Sequence, residues 1–488
     1  MRNKLAETDK IVVPRWLLIT IIIYIVVFTS GMYLRYSSFQ NSGSDSVIHD
    51  VMINSLSGDF FYSKAYSLSF LGKHFSVVFA LIFPIYYLFP TLLTMFLLKS
   101  FLLCIGAVFI YNLSERMLKY KHAKTFLTLT YLLSPLVHSL NFDDFFAVFI
   151  AIPLILAIML FFEQKKWTIY FCFIVLLLLV EEQMPFVVIF LGIYIFIWKN
   201  KKIGTYTIIL GIISLLLINT LFIPFFSGGD HRVYHFRYSY IGSDFSSSLY
   251  NIVTNPLKVV NESHLISKLD YVWFFLLAFL FIPLLSAFSL VTIPLFLLNL
   301  LSSNTDVLCV YFHYVGVIVS IFFVSTIYGL RNIEKRGKLS IAKKIVVLFF
   351  VLTLVLNIFF IVPLLNGPTS EGLSVMNKYC PKVVLTRFDS VFVKTKIKDY
   401  KLLNDFIRKT PKEAKFLSTI ELFIYVKDRN VEIFFPEADA YDSDYLIINS
   451  NTQYYEFSAL KDIINKIEKQ NYDLVLRTAT YSIYKKIV

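Results

Sequence analysis

Residues 37–75, SSFQNSGSDSVIHDVMINSLSGDFFYSKAYSLSFLGKHF, form a polar segment between two hydrophobic parts of the chain. The run before it, residues 16–33, is apolar and long enough to cross a bilayer as a helix. Nearly everything after it, up to Pro363, is hydrophobic as well. Carboxylates and imidazoles therefore first gather beside a membrane in this segment, and we interpret it as one wall of an active site at the membrane surface.

The composition excludes a soluble globular protein. Of the 488 residues, 57% are hydrophobic and only 16% are charged, whereas a soluble domain is about one quarter charged. The net charge of +13 is explained by cytoplasmic loops and membrane lipids with anionic headgroups, so we expect no nucleic-acid partner. The four cysteines are widely spaced and predict neither a metal cluster nor a disulfide framework.

The hydropathy pattern predicts a polytopic α-helical membrane protein with about 11 transmembrane helices. The predicted spans are residues 16–33, 91–111, 125–140, 145–162, 167–180, 184–198, 203–226, 271–286, 287–301, 308–329 and 345–363. Most Lys and Arg residues of residues 1–365 lie on the N-terminal side of this arrangement, and such residues mark cytoplasmic loops. We therefore expect a plasma-membrane protein with a cytoplasmic N-terminus and external loops at residues 36–75 and 227–268.

The composition changes after the last span. Residues 1–365 form the predicted transmembrane domain, and residues 366–488 have the composition of a soluble domain. Short alternating runs at 415–418, 431–435, 445–449, 472–476 and 481–485 predict strands, and residues 402–409 and 460–469 predict helices. With an odd number of spans, this small α/β domain is expected to be extracytoplasmic.

Asp45 and His49 are the first candidates for chemistry. With Val47, Ile48 and Val51 they fit a helix with one apolar face, which predicts a helix lying on the outer leaflet with Asp45 and His49 on its solvated side. A carboxylate in that position is able to act as a general base. The alternative is an ordinary amphipathic loop helix with solvated charges.

Two acidic pairs follow at the outer ends of spans. Asp143-Asp144 and Glu181-Glu182 are able either to bind a divalent cation through oxygen ligands or to hold a proton through mutual repulsion. The alternative is that these charges only mark where a helix leaves the membrane. A divalent metal at Asp143 and Asp144 is therefore one possibility, and no other cofactor is predicted.

Basic and aromatic residues on the same side predict a site for a lipid phosphate. His74 precedes a helix broken by prolines, and His313 and Tyr314 begin the tenth span. Arg232 and Arg237 lie in the second large external loop. Each could bind a phosphate at headgroup depth, although tyrosines at that depth are also typical of an interfacial aromatic belt.

Several motifs resemble the predicted prokaryotic membrane proteins of domain of unknown function 2079. They are Asp45 and Asp50, Gly72-x-His74-Phe75-Ser76, Leu133-Ser134-Pro135, Glu182, Pro283-Leu284-Leu285-Ser286, Leu298-Asn299-Leu300-Leu301-Ser302, His313-Tyr314, Tyr328-Gly329-Leu330 and Asp444-Tyr445-Leu446-Ile447. Together they cover almost the whole chain.

That family is similar in architecture to the C-type glycosyltransferases, which use a polyprenyl-phosphate sugar and place an acidic residue in the first external loop. The resemblance implies that Asp45 is the leading candidate for the catalytic base. We also predict that Asp50 is catalytic and that His49 and Glu182 contact substrate. The chain departs from the family at residues 144–148, which lack a usual His and Glu, and at Lys73, where an Asp is common. These departures weaken the case for a metal.

We therefore expect a membrane-embedded glycosyltransferase whose partners are membrane lipids and a polyprenyl-phosphate-linked sugar. Two alternatives stay open at this point. A lipid or solute transporter predicts charged residues deep within spans and related halves, but Lys99 is one of few such charges and no repeat is visible. A non-catalytic scaffold predicts that Asp45 is replaceable without loss.

Overall fold

A computed structural model describes most of the 488 residues. The described residues are 10–39, 43–228, 236–243, 245–366, 390–426, 430–433, 442–449, 464–467, 469 and 471–487. Arg232, one of the predicted phosphate-binding residues, lies outside them.

Helices account for most of the described chain. In chain order they are α1 (Arg15–Ser37), α2 (Ser44–Leu56), α3 (Phe83–Leu88), α4 (Leu92–Met117), α5 (Ala123–Leu132), α6 (Pro135–Phe142), α7 (Val148–Glu163), α8 (Trp167–Leu178), α9 (Met184–Trp198), α10 (Lys201–Leu217), α11 (Ile223–Phe226), α12 (Phe245–Thr254), α13 (Pro256–Glu262), α14 (Leu269–Ala278), α15 (Ile293–Leu301), α16 (Gly316–Lys335), α17 (Leu339–Asn366), α18 (Ser390–Lys409) and α19 (Ile420–Phe423).

Every predicted span contains a helix. Five of the helical stretches are long and apolar enough to cross a membrane: Arg15–Ser37, Leu92–Met117, Lys201–Phe226, His313–Lys335 and Leu339–Ile358. Four shorter apolar helical stretches accompany them, Val148–Glu163, Trp167–Leu178, Met184–Trp198 and Ala287–Leu301. Apolar runs form helices in a bilayer because a helix satisfies its backbone hydrogen bonds within the segment.

Prolines explain why some predicted spans are divided. The predicted span 125–140 is split into α5 and α6, with Pro135 at the first position of α6. A proline there loses no helical hydrogen bond, because the first N–H groups of a helix have no partner within it. The predicted span 271–286 is likewise divided, into α14 and a 3₁₀ turn at Ile282–Leu285.

The first external segment folds into helix α2 and a short hairpin of β1 (Tyr62–Ser63) and β2 (Leu68–Ser69). The prediction of a helix at Asp45 and His49 is confirmed, but the prediction that both residues lie on a solvated side is wrong. Asp45 is 0% exposed and His49 is 1% exposed. Helix α2 packs against the protein on several sides because helix α3 and the C-terminal helix α19 both contact it.

The C-terminal region contains a five-stranded sheet. Its strands are β3 (Lys415–Ser418), β4 (Asn430–Ile433), β5 (Tyr445–Asn449), β6 (Tyr472–Arg477) and β7 (Tyr481–Lys486), in the order β4-β3-β5-β7-β6. Strand β3 is parallel to β4 and β5, and β7 is antiparallel to β5 and β6. A strand is found at each of the five predicted positions, and the closing hairpin is confirmed; residues 434–435 of the second predicted strand and residues 460–463 and 468 of the predicted helix 460–469 lie outside the described residues.

Aromatic side chains join this sheet domain to the junction of α1 and α2. The Tyr425 ring stacks on Tyr36 with ring centres 4.7 Å apart, and the Tyr425 hydroxyl donates to the Tyr36 carbonyl at 2.7 Å. Phe39 packs on Tyr425 and on Tyr481 of strand β7. The C-terminal domain therefore contacts the start of the first external segment directly.

One cysteine corrects the sequence interpretation. Cys309 is disulfide-bonded, whereas Cys104 and Cys172 are free thiols. The wide spacing of the cysteines did not indicate this bond because sequence spacing carries no information about which residues the fold brings together. Cys309 lies four residues before His313, so the bond is close to the predicted site.

Candidate functional site

A cavity of about 410 Å³ lies between the first external segment and the ends of several spans. Its charged lining residues are Lys73, His74, Asp143, Glu181, Glu182, Arg237, Asp306 and His313. We call these residues the cavity charges. Helix α2 contributes Ser44, Val47 and Ile48 to the same wall, so the polar segment lines this cavity.

Gly72 allows the segment that carries Lys73 and His74 to approach the end of the span at residues 201–226. A Cβ atom at position 72 would lie 2.6 Å from the backbone carbonyl group of Phe226 and from the Ser227 nitrogen. Any other residue would force these backbones apart. The glycine therefore brings two basic side chains to the cavity wall.

Glu182 anchors this segment from the opposite side. Its Oε2 accepts a hydrogen bond from the Phe75 N–H at 2.9 Å, and its Oε1 lies 3.4 Å from His74 Nδ1. Burial acts to raise the pKa of the Glu182 carboxyl, but the His74 hydrogen bond and charge outweigh it and lower the pKa. Glu182 is therefore ionised at neutral pH.

The neighbouring Glu181 has different surroundings. Its Oε2 accepts a hydrogen bond from Gln183 Nε2 at 2.6 Å, and its side chain is almost fully buried. Burial and the charge of Glu182 raise the pKa of the Glu181 carboxyl well above its usual value. Of the two possibilities that the sequence left open for this pair, the geometry favours the one in which a proton is held.

Asp143 and His313 form a second buried contact at the cavity. Asp143 Oδ2 accepts from the His313 backbone N–H at 2.7 Å and lies 3.0 Å from its Nδ1. The Phe146 ring stacks on the imidazole with centres 3.6 Å apart. The imidazole is thus held in one orientation at the cavity wall.

Arg237 and Lys73 bring two further positive charges to the cavity. Arg237 Nη2 donates to the Tyr314 hydroxyl at 2.9 Å, and the guanidinium lies 5.3 Å from the centre of that ring. The Lys73 ammonium lies 3.6 Å from the Tyr66 ring centre. Burial and the charge of Arg237 lower the pKa of Lys73 to about 8. The two cations are therefore close enough to repel each other.

A separate set of charged residues lies behind the cavity wall. Arg35 Nη2 pairs with Asp144 Oδ1 at 2.6 Å, and both side chains are 0% exposed. Asp144 Oδ2 accepts from the backbone N–H groups of Ser44 and Asp45, at 3.1 and 3.3 Å. Lys99 donates to the Asp143 carbonyl. We call Arg35, Asp45, Lys99 and Asp144 the buried charge cluster.

Asp45, the leading catalytic candidate, belongs to this buried charge cluster. Its Oδ1 accepts from the Phe145 N–H at 2.7 Å. Among the described residues its Oδ2 has no hydrogen-bond partner. Burial, followed by the charge of Asp144, raises the pKa of Asp45 to about 7. Ser44, and not Asp45, is the residue that lines the cavity.

Asp50 and His49 also lie away from the cavity. Asp50 accepts hydrogen bonds from Asn54 Nδ2 at 3.1 Å and from the Lys64 N–H at 2.7 Å, which holds the hairpin against α2. His49 Nδ1 contacts the Tyr86 hydroxyl. The roles predicted for both residues stay predictions.

The structure thus divides the predicted site residues into two groups. His74, Glu182, Arg237, His313 and Tyr314 line one cavity together with Asp143, whereas Asp45, His49, Asp50 and Asp144 do not. Lys73 was not among the predicted site residues, although it is one of few basic residues on the predicted outer side and directly precedes His74. A basic residue on the outer side next to a candidate histidine is the sequence feature that could have identified Lys73.

The described residues provide no set of ligands for the divalent metal predicted at Asp143 and Asp144. Among the described residues there is no group of three or more His, Cys, Asp or Glu side chains placed to hold a metal ion. Asp143 directs its carboxylate to His313, and Asp144 directs its own to Arg35. The pair therefore does not present its oxygens to one shared ion.

Comparison with known proteins gives a family and a fold. Residues 35–486 match the family described as predicted membrane protein (DUF2079). No curated protein matches the sequence.

Two crystal structures of ArnT from Cupriavidus metallidurans are similar in structure. The one bound to undecaprenyl phosphate aligns with a TM-score of 0.53 at 9% identity, over 97% of this chain and 98% of that chain. The apo structure aligns with a TM-score of 0.50 at 11% identity, over the same shares. The chain is therefore a multi-pass membrane protein with an ArnT-like, C-type glycosyltransferase fold, as its motifs predicted.

Proposed function

The chain belongs to the DUF2079 family of predicted membrane proteins, and we propose that it is a membrane-embedded glycosyltransferase. It takes a sugar from a polyprenyl-phosphate carrier and passes it to an acceptor on the outer face of the membrane. The fold supports this proposal, because an ArnT structure with a similar fold is bound to undecaprenyl phosphate.

The observation that carries the proposal is the pair of cations at one cavity. Lys73 forms no ion pair with any of the described residues, and Arg237 lies close enough to lower the pKa of Lys73. Two half-buried like charges repel each other, and an anion between them offsets that repulsion. A phosphate group supplies that anion, and Arg and Lys are its usual ligands in proteins.

The imidazoles complete the phosphate site. His74 and His313 line the cavity with Lys73 and Arg237, and both imidazoles are fixed by carboxylates. The bond that breaks in transfer joins the sugar to the phosphate, so negative charge develops on the phosphate as it leaves. The fixed cations Lys73 and Arg237 at that position, with imidazole N–H donors beside them, stabilise the transition state more than the ground state.

A carboxylate is also needed to accept the proton of the acceptor hydroxyl. Asp45 and Asp50 are the residues that the first external segment offers for this role. Neither side chain lines the cavity, so their catalytic role stays a prediction that the transfer assay below addresses.

The orientation of the protein is part of the proposal. The distribution of Lys and Arg over the loops supports a cytoplasmic N-terminus and places the cavity on the outer side of a plasma membrane. The disulfide at Cys309 supports the same side, because such bonds persist in oxidising compartments. The C-terminal domain, which contacts the first external segment, guides the acceptor to the cavity.

The test is sugar transfer by the purified protein in lipid, from a panel of undecaprenyl-phosphate-linked sugars. We expect transfer by the wild type, a loss of about tenfold or more in Lys73→Gln, and retained transfer in Lys73→Arg, which keeps the positive charge. The Asp45→Asn variant, compared at equal folded yield, tests the role of Asp45 as the general base. Loss of transfer would assign that role to Asp45, and transfer equal to that of the wild type would exclude it.

Absence of transfer from every donor, in protein shown to be folded, would contradict the proposal and favour transport or a scaffold. Equal transfer by Lys73→Gln and the wild type would contradict the phosphate site.

A further inference from the structure

The two adjacent glutamates at the cavity are held in different ways. Both oxygens of Glu182 have partners on the 70–75 segment, the Phe75 N–H and His74. Glu181 accepts hydrogen bonds from Gln183 Nε2 and from the Val148 backbone N–H, and it forms no ion pair among the described residues. Both side chains are buried, with Glu181 8% and Glu182 4% exposed. Glu182 is therefore in contact with an imidazole, whereas the side-chain partner of Glu181 is an uncharged amide.

The charges that face Glu181 come from every wall of the cavity. The acidic ones are Glu182, Asp143 and Asp306, and the basic ones are Lys73, His74, Arg237 and His313. The nearest in sequence is the ionised Glu182, and two buried carboxylates side by side do not both ionise. Burial and Glu182 raise the pKa of Glu181 well above its usual value, and the hydrogen bond from the Val148 backbone N–H and the charge of Arg237 oppose them only in part.

The protonation of Glu181 matters for any anion in the cavity. An ionised Glu181 would add a fixed negative charge to a wall that already carries Glu182 and Asp143. A neutral carboxylic acid instead offers an O–H donor, and buried carboxyl groups kept neutral serve as donors to oxyanions in other proteins. The charge of Arg237 acts to lower the pKa of both Glu181 and Lys73. The carboxyl group and the two cations therefore lie near one another at the same cavity.

Building on the function proposed above, we propose that Glu181 binds the carrier phosphate as a neutral carboxylic acid. Its O–H donates a hydrogen bond to a phosphate oxygen, while Glu182 stays ionised and holds His74 and the 70–75 segment in place. No bond is made or broken in this step, and the proton stays on Glu181.

Phosphate binding is expected to weaken as the pH rises. Phosphate binding needs the protonated form of Glu181, so it is strongest below the pKa of this carboxyl and weakens as rising pH removes the proton. Lys73, with a pKa of about 8, changes affinity in the same direction as it loses its charge. The Lys73→Arg substitution removes the contribution of residue 73 to the pH dependence of affinity, because arginine stays charged at every pH of the experiment.

The experiment measures the affinity of the full-length protein in lipid nanodiscs for undecaprenyl phosphate, from about pH 7 to about pH 9, which lies above the second pKa of a phosphate group at about 6. The uncharged alcohol undecaprenol serves as the lipid-tail control. In the Lys73→Arg background we expect affinity to fall about tenfold or more over this range. Adding Glu181→Gln, a neutral side chain that still donates, keeps the affinity at low pH and removes most of the fall.

Two further variants separate a binding role from a structural one. Glu181→Ala, without a donor, lowers affinity at every pH. Glu182→Gln removes the neighbouring charge, so Glu181 ionises more easily and the fall in affinity moves to lower pH. Glu262→Gln, a half-exposed external glutamate, leaves affinity unchanged.

Three results would overturn the inference: a pH profile that Glu181→Gln does not alter, an affinity that rises with pH, or equal losses in Glu181→Gln and Glu181→Ala. A wild type that binds undecaprenyl phosphate no better than undecaprenol would instead overturn the proposed function.

Discussion

The cavity charges and the buried charge cluster use the same types of residue for different purposes. In the buried cluster, Arg35 and Asp144 pair directly with no exposed surface. In the cavity, Lys73 and Arg237 line the same volume, and the Lys73 ammonium contacts the Tyr66 ring. Charges that neutralise each other build a framework, whereas like charges facing an open volume prepare a place for a ligand.

The two groups meet at one short loop. Arg35 Nη1 donates to the Phe142 carbonyl at 2.6 Å, Lys99 to the Asp143 carbonyl, and the Phe145 N–H donates to Asp45. The Asp143 side chain leaves this loop on the other side and holds His313. The buried charge cluster therefore holds the backbone of residues 142–145 in place, and this backbone carries the Asp143 side chain that contacts His313 in the cavity wall.

The largest expected effect is on stability, from Arg35→Met. The change leaves Asp144 buried without its cation, and breaking a buried pair from one side costs about 3–5 kcal/mol. We expect a large loss of folded yield and a lower unfolding temperature in detergent. Removing both charges with Arg35→Met and Asp144→Leu should recover part of the loss.

A matched control is Lys258→Met, which breaks the exposed Lys258–Glu262 pair and should cost less than about 1 kcal/mol. Similar unfolding temperatures for Arg35→Met and Lys258→Met would contradict the framework role of the buried cluster.

An intermediate effect is expected from Asp45→Asn, through the pH dependence of stability. The pKa of Asp45 is about 7 in the folded protein and about 3.9 when unfolded. The folded state thus gains from protonation of Asp45, a gain present below about pH 4 and lost as pH rises to about 7. The asparagine keeps the acceptor for the Phe145 N–H and carries no charge.

We therefore expect Asp45→Asn to unfold at a higher temperature than the wild type above about pH 7, with the difference vanishing in acid. Asp59→Asn, exposed in the same segment, is the control and should follow the wild type. A variant less stable than the wild type at high pH would show that the Asp45 charge stabilises the fold.

The smallest effect is expected at the contact between the C-terminal domain and the first external segment. Tyr425→Phe removes the hydrogen bond to the Tyr36 carbonyl but keeps the stacked ring, at a cost of about 0.5–1.5 kcal/mol. Hydrogen exchange of residues 422–426 should rise slightly, and more in Tyr425→Ala. Equal exchange in both variants and the wild type would show that this contact does not hold the domain.

Most of the fold is predictable from the sequence because the membrane leaves few choices. An apolar run that enters a bilayer must satisfy its own backbone, so helices at all predicted spans follow from composition. The C-terminal strands were found from short alternating runs, which the period of a strand requires. The breaks at Pro135 and near Ala278 depend on local backbone geometry and were not predicted.

The candidate site was predicted only in part. His74, Arg237 and His313 were identified as basic groups on one side, and they do line one cavity. However, the direction in which each side chain points could not be predicted from the sequence. Ser44 faces the cavity while Asp45 lies behind the wall, and Asp143 and Asp144 turn to different partners. Adjacency in the chain does not determine which side of a helix end a residue takes.

The binding of undecaprenyl phosphate tests the central claim most directly. The measurement compares its affinity with that of undecaprenol for the wild type, Lys73→Gln, Arg237→Gln and the charge-retaining Lys73→Arg, in protein of equal folded yield. We predict a preference for the phosphate in the wild type and in Lys73→Arg, and a loss of about tenfold or more in each glutamine variant. Equal affinity for the phosphate and the alcohol, or glutamine variants that bind like the wild type, would contradict the account.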